Sequence, residues 1–188
     1  MQSPLQDQSI VFFIFGGTGD LTSRKLVPAL YNLFLDGWMP ANFEVIGMGR
    51  TAQSDDQFRD LLLEDIHKFS RRGKAEPDQW KDFAAHVFFQ SGEIQEDKTY
   101  VGITERIERA GQAWKADPCV IYYLAVAPRF FAPIAENLSK HNLATDLAKA
   151  RIVIEKPFGN DLESARALNK LLNNVFSERQ IYRIDHYL

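Results

Sequence analysis

With one cysteine, Cys119, in 188 residues, the chain has no internal disulfide. The place of Cys119 in an apolar run reads as a small buried core residue. That thiol and four histidines show no metal-ligand spacing, so no metal site is expected. Long hydrophobic runs are missing as well. The longest, Ile10 to Phe15, is far too short to cross a bilayer, so no membrane partner is expected. The segment before it, Met1 to Gln8, has no basic residue, so no secretory leader is visible and a cytoplasmic address is expected. Charge of one sign is lacking too. The net charge is −3, and Lys and Arg are dispersed apart from Arg71-Arg72 in a turn, which argues against a nucleic-acid partner. What is present is ordinary: 45% hydrophobic and 25% charged residues, enough to build one cored domain.

Apolar runs of strand length alternate with helical periodicities. Ile10 to Phe15, Phe43 to Met48, Val87 to Phe89, Val120 to Val126, Ile152 to Ile154 and Ile181 to Ile184 read as six strands. Between them, Leu26, Leu30, Leu33 and Phe34 mark one helix, ended by Gly37. Phe58, Leu62, Ile66 and Phe69 mark the next, and residues from about Asp97 to Trp114 a third. Phe130, Phe131, Ile134 and Leu138 give the buried face of a fourth, begun at Pro128. Leu162, Leu168, Leu172 and Val175 line the last. No repeat or linker interrupts the pattern. Strand–helix alternation of this kind predicts a doubly wound α/β fold, a mainly parallel six-stranded sheet with helices on both faces. Ligands then bind beyond the carboxyl ends of the strands.

The first strand runs into Gly16-Gly17-Thr18-Gly19-Asp20-Leu21-Thr22. Glycines permit positive φ and close approach of a phosphate, and the N–H groups of the following helix start hold a diphosphate. The spacing is G-x-x-G, which a purely structural turn also explains; Thr22 stands where a third small residue is usual. Asp20 is expected to point away from a diphosphate and cap the turn. Pro28 cannot sit deep in a helix, so the turn carrying Arg24 and Lys25 is expected to be offset from the helix after it. That offset aims Lys25 into the cleft, or leaves a solvated basic pair. An NAD-preferring domain ends its second strand with Asp or Glu. Here Gly49-Arg50-Thr51 stands there, a guanidinium and a hydroxyl suited to a 2′-phosphate, although a strand-end Arg is often merely exposed. Asp36 ends a helix and does not serve that role.

Two late strands end in polar groups, Glu155-Lys156-Pro157-Phe158-Gly159 and Asp185-His186-Tyr187. Lys156 is placed to donate to a substrate oxygen, and His186 with Tyr187 makes a phosphate cradle. Asp185 can orient an imidazole. A salt-bridged Lys156, a loop-capping Asp185 and a structural His186 remain open readings.

These segments, together with Arg24-Lys25-Leu26 and Ala125-Val126-Ala127-Pro128-Arg129-Phe130-Phe131, stand in the order and spacing of glucose-6-phosphate dehydrogenase. The chain resembles that family from about Ile10 to Leu188. The resemblance implies a Rossmann-type coenzyme domain over residues 1–188, without the family's C-terminal α+β domain and the general-base histidine it carries. It implies hydride transfer from C1 of glucose 6-phosphate to NADP, giving 6-phosphoglucono-δ-lactone, by a whole protein that is a homodimer or homotetramer. In that scheme Gly16, Gly17, Thr18, Gly19, Asp20, Leu21, Arg50, Thr51, Ala127, Pro128 and Lys156 bind cofactor. Lys156, His186, Tyr187 and Lys25 bind substrate, and Asp185 and Lys156 are catalytic. The chain alone is then expected to bind NADP without turnover. Sugar dehydrogenases related to glucose–fructose oxidoreductase and a catalytically silent dinucleotide sensor are the competing readings.

Overall fold

A strand apolar on both sides needs cover on both sides, and the chain supplies it by winding helices alternately over one sheet. The computed structural model describes residues 8–159 and 161–184. Strand β1 (Ser9–Phe15) leads through a π-helical turn (Thr22–Leu26) into α1 (Val27–Leu35) and β2 (Asn42–Gly49). Next come α2 (Asp55–Phe69), α3 (Pro77–Ala84), β3 (Val87–Ser91) and the long α4 (Asp97–Trp114). Then β4 (Cys119–Leu124) precedes a 3-10 turn (Pro128–Phe130), α5 (Phe131–Lys140), β5 (Ala150–Glu155) and α6 (Leu162–Val175). A last 3-10 turn (Glu178–Gln180) enters β6 (Ile181–Ile184).

The described strands pair in the order β3-β2-β1-β4-β5-β6, every neighbour parallel. This is the doubly wound order, with the first strand at the centre. Side chains alternate along β1. Val11, Phe13 and Phe15 join the core with residues of α4, α5 and α6, such as Tyr100, Ile134 and Leu172. Ile14 joins Val27, Tyr31, Phe58 and Phe83 on the opposite face. Both faces of the central strand are therefore dry, as the unbroken apolar run implied.

Helix boundaries follow from local chemistry. The end of α1 is a Schellman closure: Gly37 sits at φ +69° and donates to the Phe34 carbonyl at 3.0 Å, while Trp38 donates to Leu33 at 2.9 Å. A capping box opens α2, with Gln57 N–H on Ser54 Oγ at 3.1 Å and Ser54 N–H on Gln57 Oε1 at 2.9 Å.

Several expectations need correction. Helix α3 was missed, although Pro77 at its start and Trp80, Phe83 and Ala84 on one face spell it out. Strand β4 ends at Leu124, so Ala125 and Val126 belong to the following loop. Helix α5 begins at Phe131 because Pro128 starts a 3-10 turn instead. Leu33, Phe69 and Leu162, which marked helices by their periodicity, are exposed. Cys119 is only half-buried, at the open end of β4, and its thiol donates to the Lys149 carbonyl.

Candidate functional site

The chain leaves β1 toward one face of the sheet and leaves β4 toward the other, so a crevice opens above the end of β1. The glycine turn fills its base. Gly16, at φ +89°, and Gly17 both donate to the Met48 carbonyl, at 3.1 and 2.7 Å. A Cβ on Gly16 would lie 2.3 Å from the Ala125 carbonyl oxygen, and one on Gly17 would lie 2.5 Å from the Gly47 Cα. These two glycines are thus demanded by the wedging of the turn between β2 and β4, and their N–H groups are already used. Gly19 donates back to the Gly16 carbonyl at 2.9 Å. Thr22, fully buried, donates its hydroxyl to the same oxygen at 2.9 Å, so the unexpected threonine closes the turn from inside. The N–H groups of Thr18, Asp20 and Leu21 are left without a backbone acceptor among the described residues.

Asp20 does point outward, but it does not cap the turn. Its carboxylate instead takes the Arg24 guanidinium at 3.3 Å. Pro28 lies in the first turn of α1, and the π-helical turn ahead of it gives the expected offset. That offset turns Lys25 toward an open depression shared with Asp20, Leu21 and Phe69, not into the crevice. Arg24 lies 5.2 Å over the Phe69 ring on the same side.

The crevice itself holds about 450 Å³. Gly16, Thr18 and Gly19 form its base, and Arg50 stands beyond β2 as the expected exposed cation. No carboxylate pairs with Arg50 among the described residues. Asp36 is engaged elsewhere, by Arg72. Thr51 is exposed and does not line the crevice. From β4, Ala127 lines it while Pro128 does not. The 3-10 turn, closed by Phe130 N–H on the Ala127 carbonyl at 2.9 Å, brings Arg129 to the wall.

A third wall was missed: the loop after β3. Gly92 donates to Gly49 at 2.9 Å, joining this loop to the end of β2. Thr99 donates to the Glu93 carbonyl at 2.7 Å and the Tyr100 phenol to the Ile94 carbonyl at 2.7 Å. Burial pushes the Tyr100 phenol far above its ordinary range, so it stays a donor. Gly92, Glu93, Ile94 and Gln95 are thereby held against the crevice. The available signal was general: in a parallel sheet, loops at the carboxyl ends of the strands beside the first one line the site.

At the end of β5, Glu155 is buried and accepts the Tyr123 hydroxyl. Burial, and then that hydrogen bond, push the Tyr123 phenol well above its ordinary range. Lys156 follows, exposed, its N–H on the Ile184 carbonyl at 3.3 Å and its peptide to Pro157 cis. Lys156 does not line the crevice, because β4 lies between β5 and β1. Asp185, His186 and Tyr187 lie outside the described residues.

No described histidine reaches the crevice. His67 is exposed on α2, His86 stacks on Phe43 at 4.0 Å, and His141 sits 3.2 Å from Asp97. Among the described residues no group of three His, Cys, Asp or Glu gathers to hold a metal, and no helix is long and apolar enough to cross a membrane.

Residues 13–188 match the family model for the NAD binding domain of glucose-6-phosphate dehydrogenase. The glucose-6-phosphate 1-dehydrogenase of Leuconostoc mesenteroides is 37% identical over 93% of this chain and 35% of its own length. That of Bacillus subtilis is 35% identical over 97% of this chain and 36% of its own. A solved glucose-6-phosphate dehydrogenase in complex with its substrate superposes with a TM-score of 0.86 at 32% identity, over 96% of this chain and 37% of that one. The glucose-6-phosphate 1-dehydrogenase structure from Mycobacterium avium gives 0.80 at 35% identity, over 94% and 36%. The chain thus spans little more than a third of the length of the relatives it matches.

Proposed function

The chain belongs to the glucose-6-phosphate dehydrogenase family, and we propose that it is the NADP-binding domain of an enzyme oxidising glucose 6-phosphate at C1. The residues fit such a cofactor. The N–H groups of Thr18, Asp20 and Leu21, at and just before a helix start, have no backbone acceptor among the described residues, so a diphosphate there would find donors and the positive end of the dipole. Arg50 and Thr51 take the 2′-phosphate, and Ala127 and Pro128 pass beside the nicotinamide. NADP bound there would supply the acceptor for the hydride from C1. Lys156, at the end of β5, donates to the sugar hydroxyl and to the cofactor, and Lys25 lies toward the substrate. His186 and Tyr187 hold the sugar phosphate. Asp185 pairs with a histidine that takes the C1 hydroxyl proton, supplied by the family's remaining length, which also makes the contacts of a homodimer or homotetramer.

The observation that carries the NADP reading is Arg50 at the end of β2, in the crevice, where an NAD-preferring domain has a carboxylate. Fluorescence titration with NADPH and NADH tests it. Arg50→Ala should weaken NADPH binding by about 1.5–3 kcal/mol, the worth of a charge-assisted contact, and barely change NADH. Equal losses for the two would refute a 2′-phosphate role.

A further inference from the structure

The crevice carries a second arginine for which the reading above has no use. Arg129 lines it from the 3-10 turn after β4, while Arg50 lines it from the end of β2. Arg24, which lines the separate depression beside the glycine turn, is paired with Asp20. Arg129 is not: it forms no ion pair among the described residues. Glu93 lines the same crevice yet pairs with neither arginine. The Arg129 guanidinium carbon lies 4.8 Å from the centroid of the Phe130 ring, within the turn that Pro128 begins. A planar fork beside a ring, with no carboxylate partner among the described residues, is available to an external anion.

The sheet order says which anion. Strand β1, with the glycine turn on its end, lies between β2 and β4. A dinucleotide over that end puts its diphosphate above β1 and its 2′-phosphate beyond β2. Arg129, following β4, lines the crevice from the side of β1 opposite β2. We infer that Arg129 is a second phosphate-binding residue, closing on the diphosphate that NADP and NAD share. This rests on the dinucleotide reading above.

Titrations of the 188-residue chain with NADPH and NADH separate the two arginines. Arg129→Ala should weaken both ligands by the same factor, about tenfold, because the diphosphate is common to them. The ratio of the two affinities then stays as in the unsubstituted chain. Arg129→Lys should recover part of the loss, since the charge returns without the fork. Thermal melts should be unchanged, the side chain being exposed. Unchanged affinity in Arg129→Ala, or a loss confined to NADPH, would overturn the assignment. If the unsubstituted chain bound neither nucleotide, the dinucleotide reading itself would fall instead.

Discussion

Gly17 and Gly37 look alike in the sequence and are required for different reasons. Gly37 has open space where a Cβ would stand but sits at φ +69°, so alanine there costs about 1–2 kcal/mol of left-handed strain. Gly17 has no positive φ to satisfy and no room, with the Gly47 Cα 2.5 Å from an ideal Cβ. Gly17→Ala must push β2 from the turn, at a cost of about 1–3 kcal/mol, and should weaken NADPH binding as well. Melting curves with titrations check this: both variants should lose stability, and only Gly17→Ala should lose ligand. Arg50 was legible because one residue type at one strand end carries the argument. Thr22 was not, because its hydroxyl bond to Gly16 exists only once the turn has folded back. Gln180 is similar: fully buried, its amide reaches the carbonyls of Ala144, Asp146 and Ala150, contacts that no local pattern announces.

Most elements with clear periodicity were read correctly, α3 excepted, while the end of β4 and the start of α5 were misplaced by a few residues. Val120 to Val126 is apolar throughout, yet pairing of β4 stops at Leu124, where the chain turns away from the sheet to form the crevice wall. Helix α4 shows how tertiary contacts tie one element to another. Asp97, in its first turn, accepts from Lys140 of α5 at 2.7 Å and lies 3.2 Å from His141. The Lys140 hydrogen bond, and then that of His141, hold the Asp97 carboxyl below the usual carboxylate range. A depressed folded value stabilises above the unfolded value, about 3.9, and the gain is lost as pH falls through the folded one. Asp97→Asn should therefore melt earlier than the unsubstituted chain at neutral pH. The gap should narrow as pH falls below the unfolded value and close once it passes the lowered folded one; a gap that does not narrow in acid would deny the ion pair its role.

At the scale of the molecule, the described residues supply a dinucleotide crevice without an imidazole at its wall. The function proposed above, with its base supplied by the family's remaining length, predicts that the 188-residue chain binds NADPH and forms no NADPH from glucose 6-phosphate and NADP. Appreciable turnover in a spectrophotometric assay would refute this. The doubly wound fold was legible because hydrophobic periodicity and glycine punctuation are local properties, and six apolar strands alternating with helices admit few arrangements. The sequence also determined the dinucleotide turn, the cation after β2 and the family, through motifs whose residues are contiguous. What only the tertiary structure decided was which strand ends meet. It placed the loop after β3 and Arg129 in the crevice, left Lys156 off its lining and put Lys25 in the separate depression beside the glycine turn. Those outcomes depend on strand order and on where each loop leaves the sheet, and such distances between remote residues are set by packing.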